Sequence, residues 1–124
     1  LCFDSSYCND DPVVTDEKLD TYNLPFKTQA LIHYIESEHS FTQGNHIMVK
    51  LGADFTYGNA RSWYNSMDKL LETLKDHPKY HIFYSNPTIY MEAKAEETTV
   101  VNPKVKWTTK TDDFFPYSDT EHVR

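Results

Sequence analysis

The stretch Ile47–Gly58 constrains this chain most, because it passes from strand-like alternation through a glycine to an aspartate and then into a long amphipathic helix. Ile47, Val49 and Leu51 alternate with Met48 and Lys50, the period of a strand with one buried face, and Gly52 breaks the pattern where a turn starts. Beyond Asp54, the apolar residues Ala60, Trp63, Tyr64, Met67, Leu70, Leu71 and Leu74 recur at spacings of three and four, with Arg61, Asp68, Lys69 and Glu72 between them. That spacing predicts a helix capped at Asn59 and stopped by Asp76-His77-Pro78, since proline disfavours helical geometry in the residue before it. Tyr80–Tyr84 then reads as a short buried strand. The unit is strand-helix-strand, with parallel strands and a right-handed crossover expected. A carboxylate just past the C-terminal end of a strand lies where α/β proteins hold ligands, which makes Asp54 the first candidate for chemistry. A short acid ahead of a helix is more often a cap or turn residue, so position alone does not decide its role.

The flanking sequence extends this α/β reading, in which parallel strands with helical crossovers form part of a larger catalytic domain. Residues 1–25 carry turn signals throughout, with Asp10-Asp11-Pro12 and Asn23-Leu24-Pro25, and only Val13-Val14 reads as extended. From Phe26 the apolar positions Ala30, Leu31, Tyr34 and Ile35 make one face of a helix to about His39. Ser85 or Asn86 caps a third helix with Pro87 in its first turn, running from Thr88 to about Ala95. Glu96–Lys104 reads as a surface connection and Val105–Thr108 as a third strand. Asp112-Asp113-Phe114-Phe115-Pro116-Tyr117 follows that strand as Asp54 follows the first. Neighbouring Asp112 and Asp113 point different ways in an extended chain, so the two cannot serve one substrate atom. The aromatic run Phe114, Phe115 and Tyr117 suits either the floor of a ligand cleft or the edge of a sheet. Trp63, Tyr64 and Met67, by contrast, fit core packing better than a sugar-stacking platform.

A chain of 124 residues with 39% apolar residues holds one core, a domain or part of one. Its net charge of -7 with scattered basic residues excludes an electrostatic nucleic-acid footprint. No apolar run approaches the roughly 20 residues of a membrane span, and the stretch from Leu1-Cys2 shows no basic segment followed by an apolar one. The chain begins at Leu1 rather than Met, which suggests a piece of something longer. Cys2 and Cys8 lie among turn-forming residues, where a local disulfide in an oxidising compartment competes with two free thiols in a cytosolic loop. Neither CxxC nor HExxH is present, and His46, His77 and His81 lack partners at metal-ligand spacing. A small redox protein built on the two cysteines fails the CxxC spacing.

Leu51-Gly52-Ala53-Asp54-Phe55-Thr56-Tyr57, with Asn59-Ala60, Trp63 and Asp68-Lys69-Leu70, resembles the family 38 glycoside hydrolases, the class II α-mannosidases. Leu1-Cys2-Phe3-Asp4 through Cys8 to Pro12-Val13-Val14 is similar to a cysteine-bounded loop of the lysosomal-type enzymes. Tyr84-Ser85 with Pro87 and Tyr90, and Asp112–Asp119, also resemble that type. So does Ala53, where Golgi-type members carry a second acid. The likeness covers the whole chain but only the middle of a much longer catalytic domain, divided here into a disulfide-bearing loop (1–25) and strand-helix-strand units (26–124).

This resemblance implies a retaining, zinc-dependent α-mannosidase that removes terminal α-mannose from N-linked oligosaccharides during glycoprotein degradation, in the lysosome or another acidic lumen of the secretory pathway, or after secretion. It implies Asp54 as acid/base, a Cys2–Cys8 disulfide, and Asp112, Asp113, Phe114 and Tyr117 as a wall of the site. The family's zinc ligands and nucleophile have no counterpart in this sequence, so zinc and nucleophile would come from other parts of the same enzyme. The isolated segment is therefore expected to be inactive. A general acid must hold its proton at working pH, which fits an acidic lumen and calls for apolar or like-charged surroundings. The alternative is a non-catalytic carbohydrate-binding or interaction module derived from the same fold.

Overall fold

In the computed structural model, residues 3, 8, 10–101, 104 and 108–113 are described. Three helices dominate them: α1 (Leu24–Phe41), α2 (Ala60–Leu74) and α3 (Pro87–Glu96). A 3-10 turn, Thr56–Asn59, leads into α2, and a π-helical turn, Glu97–Val101, continues α3.

The stripe read from the sequence of α2 is the centre of the core. Trp63, Met67, Leu70 and Leu74 are buried on one face, while Tyr64 at the margin of the stripe is about half exposed. Leu31 of α1 packs with them, and so do Phe3 and Val13 from the N-terminal loop. The loop is also tied to α2 by polar contacts. The Ser66 hydroxyl accepts from the Val13 N–H at 3.2 Å, and Lys69 Nζ donates to the Val13 carbonyl at 2.9 Å. Val49, Leu51 and Ile82 lie partly buried against this cluster, on the face expected for the first two.

α1 begins where proline allows it, with Pro25 in the first turn. Asn23 lies at the cap position, but its side chain bridges the loop instead, accepting from the Val14 N–H at 2.8 Å and donating to the Pro12 carbonyl at 3.0 Å. The inward face of α1 departs from the sequence reading at its start. Phe26 is exposed and Lys27 is buried, because Lys27 Nζ pairs with the Asp10 carboxylate, and an ion pair lets a long aliphatic stem lie inside.

α3 follows the expectation closely. Asn86 caps it by accepting from the Ile89 N–H at 3.0 Å, with Pro87 as its first residue. The surface connection expected from Glu96 onward is instead helical through Val101, with Thr98 buried and its hydroxyl donating to the Lys94 carbonyl at 2.8 Å. Buried Lys94 reaches back to the Gln43 carbonyl and to Glu97 Oε2. Glu97 Oε1 accepts from the Asn45 N–H at 2.5 Å, beneath Gly44, whose φ of 79° and lack of Cβ let the carboxylate come close. These contacts fasten the loop before Ile47 to the end of α3.

Ile47–Leu51 and Tyr80–Tyr84, read as strands, carry no helix, and among the described residues no β-ladder joins them. Both border one cleft of about 640 Å³, together with Met67, Leu70 and Leu71 of α2 and Ile89 of α3. A two-stranded parallel unit has little to hold it without further strands and cover on both faces. The expected third strand falls mostly on residues 105–107, outside the described residues, as does Cys2. Cys8 is half-buried. No helix among the described residues is long and apolar enough to cross a membrane.

Two expectations follow for the complete protein. Leu70→Ala should open a cavity at the centre of the stripe, costing about 2–5 kcal/mol. Glu72→Ala, on the exposed face, should cost at most about 0.5 kcal/mol. Calorimetric melts of the two variants check the contrast. The second concerns Glu97: burial works to raise its pKa, but the Asn45 N–H and Lys94 outweigh it and hold the carboxyl below its ordinary value. A depressed folded-state pKa contributes stability above the ordinary glutamate value that is lost as pH falls through the depressed one. Melting curves of the parent and Glu97→Gln should therefore differ near neutral pH and converge in strong acid; a constant gap would contradict the pairing.

Candidate active site

Asp54 stands in a turn between the irregular segment that ends at Ala53 and the 3-10 turn ahead of α2. It caps neither helical element: Phe55 precedes the 3-10 turn and Asn59 precedes α2. Asn59 itself makes no side-chain capping bond, since the 3-10 turn already engages the chain entering α2. Asp54 is exposed, and among the described residues its carboxylate makes no hydrogen bond or ion pair. The cap reading of Asp54 therefore has no support in the geometry.

The turn is held from both sides. Thr56, only 3% exposed, places its hydroxyl 2.9 Å from both the Ala53 N–H and the Ala53 carbonyl, accepting from the first and donating to the second. Tyr57 donates its hydroxyl to the Leu51 carbonyl at 2.9 Å. Its ring lies over Gly52, where a Cβ would sit 2.6 Å from Tyr57 Cε2. Gly52 has φ 124° and Phe55 has φ 62°, so the residues two before and one after Asp54 both have left-handed backbone. Glycine takes that conformation freely, but for phenylalanine it is strained.

Aromatic rings extend from this turn along α2. Tyr57 packs 5.3 Å from Trp63 and 5.8 Å from Tyr64, centre to centre, and Tyr64 lies 6.2 Å from Tyr84 edge to face. Trp63 is buried as the periodicity required, whereas Tyr64 faces outward and joins the row. The Tyr84 hydroxyl donates to Asp68 Oδ1 at 2.7 Å. Burial first, and then the Asp68 carboxylate, push the Tyr84 hydroxyl pKa far up, so it stays a donor. Burial, with Tyr64 beside it, raises Tyr57 in the same direction.

Of the other residues singled out in sequence, Asp112 and Asp113 are exposed. Lys110 pairs with Asp112 at 2.6 Å and holds its carboxyl below the usual range. No hydrogen bond or ion pair among the described residues links either acid to Asp54. Phe114 and Tyr117 lie outside the described residues. No group of three His, Cys, Asp or Glu side chains is placed to hold a metal ion among the described residues. The sequence reading missed Thr56 and Tyr57, whose only signal was a hydroxyl residue two positions beyond an aspartate, the composition of a side-chain-closed turn.

The chain is similar along nearly all its length to a class of carbohydrate-cleaving hydrolases. Residues 1–120 match the family described as glycosyl hydrolases family 38, N-terminal domain, and the chain belongs to that family. It is 34% identical to the lysosomal alpha-mannosidase of Mus musculus, over 99% of this chain and 12% of that protein. It is 37% identical to a probable alpha-mannosidase of Arabidopsis thaliana over 90% of this chain and 10% of that protein, and 31% identical to the human lysosomal alpha-mannosidase over 98% and 12%. The chain thus spans about a tenth of the length of these relatives.

Gly52→Ala should be costly, by more than about 1 kcal/mol, since it forces a Cβ onto a left-handed backbone and into the Tyr57 ring. Gly58→Ala, where a Cβ meets nothing within 4 Å, should be nearly neutral or stabilising. Thermal melts of the pair in the complete protein measure the difference.

Proposed function

We propose that this chain is a segment of a retaining α-mannosidase that hydrolyses terminal α-mannose from N-linked oligosaccharides, and that it contributes the acid/base Asp54. The observation that carries the reading is the placement of Asp54: exposed, engaged in neither capping nor an ion pair, on a turn held by Thr56 and Tyr57, in a chain of family 38. Such a carboxyl is free to give a proton to a departing sugar oxygen and later to take one from water, the two duties of the acid/base in a retaining mechanism. The names of the animal relatives favour an acidic, lysosomal setting, where a carboxylic acid more readily keeps its proton.

The strand readings of Ile47–Leu51 and Tyr80–Tyr84 belong to the same proposal. Both segments border one cleft, and α2 lies between them in sequence and against them in space. In the complete domain they would run parallel, with Asp54 just beyond the C-terminal end of the first, part of a larger (β/α) body. Large exposed side chains such as Phe41, Phe55 and Phe83 are consistent with surface meant to be covered by further chain. Cys2 pairs with Cys8 in this reading, and Asp112, Asp113, Phe114 and Tyr117 form a wall of the sugar site. Zinc is implied by the family, but the described residues supply no cluster that fits it.

Asp54→Asn in the complete enzyme should leave the fold intact and slow turnover of a poor-leaving-group mannoside by about 10²-fold to 10⁴-fold. An activated aryl mannoside, which needs little protonation, should still form the glycosyl-enzyme intermediate, and that intermediate should accumulate because water attack lacks its base. Steady-state and burst kinetics on the two substrates, with a melt as control, test this. Near-parental turnover on both would remove Asp54 from the mechanism.

A further inference from the structure

We infer that Thr56 and Tyr57 are positioning residues that fix the backbone of the turn, and with it the Cα–Cβ direction from which the Asp54 carboxyl is presented, an inference that rests on reading Asp54 as the acid/base. Asp54 joins the chain through two peptide units, and the one on its N-terminal side is held by hydrogen bonds from Thr56. The Ala53 carbonyl belongs to the peptide whose nitrogen is that of Asp54. It receives the Thr56 hydroxyl at 2.9 Å and the Thr56 N–H at 3.3 Å. The same hydroxyl accepts from the Ala53 N–H at 2.9 Å, so both peptide groups flanking Ala53 are set by one side-chain atom.

On the far side, Phe55 at φ 62° and the Gly58 N–H bonded to the Phe55 carbonyl at 3.0 Å fix the chain leaving Asp54. Tyr57 closes the device by bonding the Leu51 carbonyl and lying over Gly52, which anchors the turn to the end of the preceding segment. Every one of these contacts lies within residues 51–58. The Tyr57 ring in addition packs on Trp63 and Tyr64 of α2, so the locally closed turn is seated on that helix.

The chemical need for such a clamp is plain. Proton donation requires hydrogen-bond reach to the leaving oxygen, and a displacement of about 1 Å can cost roughly a hundredfold in rate. An exposed aspartate on an unconstrained turn would sample many directions. Thr56 is buried, and its hydroxyl gives its one proton to the turn and accepts one from it, so its service is to the backbone.

The test uses the complete enzyme with Thr56→Val, Thr56→Ser and Tyr57→Phe, each alone and combined with Asp54→Asn, assayed on a poor-leaving-group mannoside and an activated aryl mannoside. Thr56→Val, which keeps the shape but loses the hydroxyl, should lower kcat/KM about tenfold to a hundredfold on the poor leaving group. It should change glycosyl-enzyme formation from the activated substrate less than about threefold, and add no further loss in the Asp54→Asn background. Thr56→Ser should restore activity to within about threefold of the parent. Tyr57→Phe should show the same substrate pattern at smaller size, and it carries the test if Thr56→Val does not fold. Equal losses on both substrates, or losses that persist in the Asp54→Asn background, would overturn the positioning role. So would parental activity in Thr56→Val and Tyr57→Phe. If Asp54→Asn is itself as active as the parent, the acid/base reading falls first and the clamp loses its object.

Discussion

The buried stripe of α2 is the interaction on which the rest of this structure depends. Trp63, Met67, Leu70 and Leu74 present one apolar face, and the other core residues described are brought to it: Leu31 with Leu24, Ile32 and Ile35 from α1, Phe3 and Val13 from the N-terminal loop, Val49, Leu51 and Ile82 from the segments on either side. Full burial of side chains this large is worth about 1.5–3 kcal/mol each, against which exposed ion pairs such as Lys75 with Glu72 count for little. The helix is also the base on which the candidate site stands. Tyr57 packs on Trp63 just before α2 begins, so the turn that carries Asp54 is seated on the largest fully buried side chain among the described residues.

Hydrophobic period makes this helix legible from the residues alone, because the stripe runs on for four turns without interruption. α3 is legible through another signal, the Asn-Pro pair that both caps and starts a helix. α1 is legible in existence but not in orientation. Its period points Phe26 inward, whereas the Lys27–Asp10 pair carries a lysine stem into that place, a pairing across 17 positions that no local pattern encodes. The helical turn at Glu97–Val101 is hidden in the sequence because Thr98, Thr99, Val100 and Val101 are β-branched and disfavour a helix. Hydroxyls of Thr98 and Thr99 returning to the carbonyls of Lys94 and Ala95 accompany that turn.

The site divides in the same way. Asp54 stands out because a glycine breaks an alternating run just before an acid, and the geometry makes it a turn residue that caps neither neighbouring helical element. Thr56 and Tyr57 are hard to pick out in the sequence because their task is to hold backbone, and a hydroxyl two positions beyond an aspartate is a faint signal for that task. The strand readings, by comparison, concern pairing with chain on which a segment of this size has little hold. A parallel strand takes its stability from neighbours on both edges and cover on both faces.

The contacts around Asp54 and those that seat the N-terminal loop differ greatly in the length of chain they span. Thr56 and Tyr57 bond residues three and six positions away, whereas Val13 meets Ser66 and Lys69 across 53 and 56 positions. Closing a short loop costs little entropy and takes microseconds or less, while long-range docking waits for the rest of the chain to be in place. The hydrogen bonds of the turn that carries the acid can therefore form early, and α2, whose Trp63 meets the Tyr57 ring, is the next element in the chain. The first residues to leave the ribosome in this segment are, by the same arithmetic, among the last to settle onto the helix that needs them.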